Sequence, residues 1–174
     1  MRSVGPPVLG LALILGIALL VSGEVQSVRF VRGCSGHLKR AADANTIELA
    51  EKELKIAVDY IEANGLTTGT TSVLYSMPKC ELDFWYENLK ASLEELQSTP
   101  DDADRLTISN QLIKLRETIV DQREKGARVT IPPNAHVFPN QVLYRTLGFA
   151  SLAGLLIGGV GTAMLFDKPN EKCS

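Results

Sequence analysis

The chain is poor in the residues that carry chemistry: its 174 residues include two histidines, three cysteines and one tryptophan. With His37 and His136 far apart, no Ser-His-Asp or Cys-His grouping can be drawn. There is also no Glu-x-x-His pair for a carboxylate-bridged metal centre. The adjacent carboxylates Glu94-Glu95 and Asp101-Asp102 would project in different directions from a helix, which makes them solvated surface rather than an acid-base pair. No run of five or six like charges occurs. The 18 basic and 20 acidic side chains leave a net charge of −2, without the clustered basic face that nucleic acid requires. Internal repeats and low-complexity runs are lacking as well. These absences point away from an enzyme and from a nucleic-acid partner.

What is present is a division between apolar ends and a charge-rich middle, hidden in a mean hydropathy of +0.06. Residues 6–23, PPVLGLALILGIALLVSG, are 18 uncharged residues preceded by Arg2. That is just enough to cross a hydrocarbon core of about 30 Å at about 1.5 Å per residue. A cleavable secretory signal is the rival reading, because Val21 and Gly23 suit the −3 and −1 positions of a cut before Glu24. Residues 147–166, LGFASLAGLLIGGVGTAMLF, contain no ionisable group. A domain this small has no room to wrap a helix that is apolar on every face.

Two transmembrane helices are therefore expected. Arg2 before the first and Lys168 and Lys172 after the second favour cytoplasmic tails, and the long intervening loop crosses regardless of its charges. The resulting organisation is an N-terminal transmembrane helix or uncleaved signal anchor (1–23), an extracytoplasmic helical domain (24–139), a C-terminal transmembrane helix (140–167) and a short cytoplasmic tail (168–174). This is an integral membrane protein whose middle domain faces the periplasm or a lumen. It also places Cys34 and Cys80 in an oxidising space and Cys173 in a reducing one.

Within the middle domain, Ile47, Ala50, Leu54, Ala57, Val58 and Ile61 draw one apolar stripe on a helix over residues 37–63, closed by Asn64-Gly65. The Thr/Gly-rich stretch that follows loses this period and reads as a loop, with a short strand at 72–75. Pro78 opens a second helix that runs to about Gln97, with Leu82, Trp85, Tyr86, Leu89, Leu93 and Leu96 as its stripe. Ser98-Thr99-Pro100 signals a third helix over residues 100–125, ended by Gly126. Residues 128–133, RVTIPP, are extended because a residue before proline avoids the helical region. Asn140 caps a last helix that runs to about Phe166. Gly33 and Gly36 argue for a break between the first span and the domain. The expected fold is all-α: a bundle of about three helices flanked by two transmembrane helices.

Four residues could form a metal group, Cys34, His37, Cys80 and His136, although their spacing lacks the two close pairs typical of structural zinc sites. A Cys34–Cys80 disulfide is the stronger expectation; it would close a loop of about 45 residues worth roughly 3 to 4 kcal/mol. The segment from Gly65 to Ser72 looks like a phosphate loop but lacks the lysine and the preceding strand, so a polar turn is expected. Trp85 and Tyr86 read as core anchors, and Phe84, off their stripe, as a candidate interaction surface. Ala150, Gly154, Gly158 and Thr162 recur every four residues, a small-residue row for packing against the first span or a neighbouring subunit. No cofactor is expected. The function expected is that of a non-enzymatic membrane-anchored interaction or accessory subunit, with the lipid bilayer and a membrane or extracytoplasmic protein, or further copies of itself, as partners. The alternative is an extracytoplasmic ligand- or metal-binding module of the sensor type.

Overall fold

A computed structural model describes residues 5–73, 77–100, 102–123 and 126–166, apart from the side chains of residues 122, 123, 127, 165 and 166. The chain is mostly helical and separates into two compact units, one made of Met1–Val25 and Asn140–Ser174, the other of Gln26–Pro139.

The first unit holds most of α1 (Gly5–Phe30) and all of α6 (Gln141–Phe166), both long and apolar enough to cross a membrane. Their outer faces are bare: Leu11, Leu20, Ile157 and Met164 are each about 70% exposed. Their inner faces meet through small residues. A Cβ on Gly158 would lie 2.7 Å from the Leu9 nitrogen, one on Gly154 would lie 2.8 Å from the Ala12 Cβ, and Gly5 and Gly161 meet backbone to backbone. Buried Ser151 donates its hydroxyl to the Ala12 carbonyl at 2.9 Å, and Ser22 is hydrogen-bonded to Tyr144. The partner of the small-residue row is thus the first apolar helix of the same chain. Gly154, Gly158 and Thr162 lie along this contact, whereas Ala150 faces outward and its neighbour Ser151 takes its place.

In the second unit the expected break at Gly33 and Gly36 does not occur. Instead the helix is widened by one π-helical segment, Val31–Ser35, before α2 (Gly36–Ala42). The glycines explain it: the Gly36 N–H reaches the Val31 carbonyl five residues back, and a Cβ there would sit 2.8 Å from that oxygen. At Gly33 the Tyr60 ring occupies the place a side chain would take, and it meets Phe30 edge to face with centroids 6.1 Å apart.

The helix expected over 37–63 is interrupted. After α2, Thr46 adopts an extended backbone and accepts a hydrogen bond from the Leu49 N–H at 3.3 Å, starting α3 (Ile47–Ala63) as an N-cap. The other end of α3 closes as expected. Gly65 takes φ +67°, its N–H bonds to the Glu62 carbonyl and that of Leu66 to the Ile61 carbonyl, the double bond of a Schellman motif. Pro78 opens only a short 3-10 turn, Pro78–Cys80; α4 (Leu82–Gln97) begins after Glu81, whose extended backbone pairs with Thr70. Of the strand expected at 72–75, residues 74 and 75 lie outside the described residues, and Ser72 and Val73 form none.

The third helix is shorter than expected at both ends. Ser98 and Thr99 donate to the Glu95 carbonyl and so finish α4, while Asp104 caps α5 (Arg105–Ile119) by accepting from the Thr107 N–H. From Val120 the chain leaves the helix for a hairpin, β1 (Val120–Arg123) against β2 (Gly126–Val129), antiparallel with Val120 opposite Val129 and Asp121 opposite Arg128. Gly126, expected as a helix stop, has φ +110° and serves the turn. The core of this unit is filled by the stripes of α3 and α4 together with Phe30, Cys34, Leu38, Leu115 and Ile119. Trp85 locks its lower edge by donating its indole N–H to the Thr130 carbonyl at 2.9 Å, and the Thr130 N–H in turn reaches the Ile119 carbonyl at 2.7 Å.

Candidate functional site

The elements of the second unit leave an open groove of about 1300 Å3. Its apolar part comes from Phe30 and Val31, from Trp85 and Leu89 on α4, and from Val129, Ile131 and Pro132 after the hairpin. Phe84, one residue off the buried stripe of α4, lines it while remaining 70% exposed. The extended segment after β2 can form one wall because Pro132 and Pro133 exclude helix there and the Trp85–Thr130 hydrogen bond holds it in place.

Charge in the groove is opposite to that of the chain. Lys39, Lys79, Arg116 and Arg128 line it against Asp43 and Glu81, a net of +2 where the whole protein carries −2. Asp43 is held between Lys39, at 3.1 Å, and Arg116, at 3.5 Å, and the Arg116 Nε also donates to the Ala42 carbonyl at the end of α2. These contacts fix α5 to α2, and they leave Lys79 and Arg128 as the lining cations outside that network. Arginines and lysines contributed by separate elements, with aromatic and aliphatic surface beside them, suit an anionic ligand that also carries apolar groups.

The cysteines and histidines are not gathered there. Cys34 is fully buried in the main core; Cys80 is buried outside that cluster, in the short turn, where its carbonyl accepts from the Thr71 N–H at 2.9 Å. Both are free thiols, so the expected Cys34–Cys80 disulfide is not formed: each is buried in a different place, Cys34 in the main core and Cys80 outside it. His37 faces Glu53 with its Nδ1 at 2.7 Å, and the Arg40 Nε donates to the same Glu53 oxygen at 2.8 Å. Burial opposes ionisation of Glu53, but the hydrogen bonds and charges of His37 and Arg40 outweigh it and hold the carboxyl below its ordinary value. His136 sits in a separate 3-10 turn, Ala135–Val137, and lines the groove. Among the described residues no group of three or more His, Cys, Asp or Glu side chains is placed to hold a metal ion, so the quartet of Cys34, His37, Cys80 and His136 does not form a centre.

No protein-family model, no curated protein and no solved structure matches the chain.

The Thr/Gly loop is not a phosphate cradle. The Thr71 N–H and the Gly69 carbonyl are engaged by Cys80 and Leu82, and Thr71 is itself buried, so this loop is structural. Tyr86 does not line the groove; its ring is in the core and its half-buried hydroxyl donates to Glu62 at 2.7 Å. That hydrogen bond, with burial and the nearby acids adding to it, pushes the phenol up to about 12. Of the sequence candidates, only Phe84 and His136 line the groove. Lys79, Arg116, Arg128 and Ile131 are not distinguishable in sequence from solvated surface and loop.

Proposed function

We propose that the protein is a non-enzymatic, membrane-anchored interaction or accessory subunit. In this reading α1 and α6 cross the bilayer as a hairpin, and the domain of residues 26–139 presents its groove on the extracytoplasmic side to a protein partner. The observation that carries it is the bare outer surface of α1 and α6. Leu, Ile and Met side chains about 70% exposed along two paired helices are unstable in water and ordinary in lipid. Residues 26–139 have a core of their own, to which α1 contributes only its last residue, Phe30, so the apolar length of α1 and α6 is not needed to complete it. Arg2, Lys168 and Lys172 support cytoplasmic tails. The small-residue contact and the Ser151–Ala12 hydrogen bond support retention of the first span, because half of the interface belongs to it.

Fractionation with protease protection tests this. The full chain should stay in the membrane pellet after alkaline extraction, with the domain shielded from protease added to the cytoplasmic side. A stoichiometric protein should co-purify in mild detergent. Recovery in the soluble fraction without detergent would overturn the reading.

A further inference from the structure

We infer that the groove receives an acidic peptide segment bearing apolar side chains, supplied by the protein partner; this rests on the reading above and names the partner's chemistry. Three features select that occupant. The lining is net positive in a protein that is net negative, so an acidic segment is drawn to this face and a basic one repelled. Its cations come from four different elements, Lys39 on α2, Lys79 before α4, Arg116 on α5 and Arg128 on β2. A lipid or a free phosphate concentrates its charge in one headgroup, whereas a peptide distributes carboxylates along its length, as this lining distributes its partners. Finally, Phe84 is 70% exposed at the groove, where an aromatic ring serves as an anchor for apolar side chains.

Trp85 makes the test direct, since it is the only tryptophan of the chain and lines the groove. The full-length protein in zwitterionic nanodiscs is titrated with two fluorescent peptide pools of equal length. One alternates Asp and Glu with Leu, Phe and Val; the other replaces the acids with Lys and Arg. The acidic pool should bind saturably and shift Trp85 emission, weaken as salt rises, and lose about tenfold in affinity with K79E/R128E and several-fold with F84A. All three side chains are exposed; because Arg128 stands opposite Asp121 in the hairpin, K79Q/R128Q is titrated alongside with a several-fold loss expected, and circular dichroism verifies the fold of each variant. Equal binding of both pools, or unchanged affinity in K79E/R128E, overturns the inference. So does displacement of the acidic pool by short-chain anionic phospholipid at lower concentration, which would assign the groove to lipid. If those results occur while a stoichiometric protein still co-purifies from membranes, the inference fails and the accessory-subunit reading stands.

Discussion

Gly33 and Tyr60 offer a perturbation in which two effects of known size oppose each other. Replacing glycine by alanine within a helix ordinarily stabilises by about 1 kcal/mol. Here, however, the new methyl would sit 3.0 Å from Tyr60 Cγ and nearer still to Cδ2 and Cε2, and the ring cannot retreat freely because it is packed edge to face with Phe30. Overpacking of this kind costs about 1 to 3 kcal/mol. The balance is a loss of about 1 kcal/mol for Gly33→Ala, or a few degrees in melting temperature for a domain of this size. In a Tyr60→Ala background the clash is gone and the same substitution should become neutral or stabilising. The double-mutant cycle therefore yields a coupling of about 1 to 3 kcal/mol. Denaturant titration of the full chain in detergent, followed by Trp85 fluorescence, measures all four corners. If Gly33→Ala has the same effect with and without Tyr60, the reasoning is refuted.

Four further outcomes are expected. Cysteines placed at Ala12 and Ser151 should form an intrachain crosslink on oxidation, and adding Gly158→Val, whose Cβ would meet Leu9 at 2.7 Å, should abolish it. Trp85→Phe should cost about 1 kcal/mol for the lost hydrogen bond to Thr130 and raise protease sensitivity after β2, as read by limited proteolysis. Because Glu53 is held below its ordinary value of 4.5, its stabilisation is present above that value and is lost as pH falls through its lowered one. The stability gap between wild type and Glu53→Gln should thus shrink as pH falls below 4.5, and a constant gap would exclude this role. A maleimide should leave Cys34 and Cys80 unlabelled in the folded protein and label both after unfolding without reductant; labelling that requires reductant would restore the disulfide.

The stripes of α3 and α4 were legible because a 3.6-residue period survives in sequence. Ala50, Leu54, Ala57, Val58 and Ile61, with Leu82, Trp85, Tyr86, Leu89, Leu93 and Leu96, are buried as expected, and Ile47 is partly buried. The hairpin was not, because Ile119 and Val120 prolong the apolar column of α5, and only the pairing across Gly126 reveals that they belong to different elements. The Thr46 cap is hidden for a related reason: the Ala-rich residues before it resemble the helix after it. The small-residue row shows how a register can mislead. Steps of four residues rotate around a helix by about 40° each, so a row kept strictly at four drifts off the contact line. The observed line alternates steps of three and four, through Ser151, Gly154, Gly158 and Gly161. The groove is assembled from distant parts of the chain, and nothing local in the sequence announces it.

The hydroxyl of Ser151 meets a carbonyl 139 residues earlier in the chain. At a synthesis rate of about 5 to 20 residues per second, the leading helix waits on the order of 10 to 30 s before its mate exists. In the proposed bilayer arrangement the contact face of that helix, Gly5, Leu9 and Ala12, meets acyl chains alone for this interval and is open to capture by any other small-faced helix nearby. Fidelity of the hairpin is therefore a contest of timing, and slowing elongation through the central region should raise the share of chains zipped to the wrong mate.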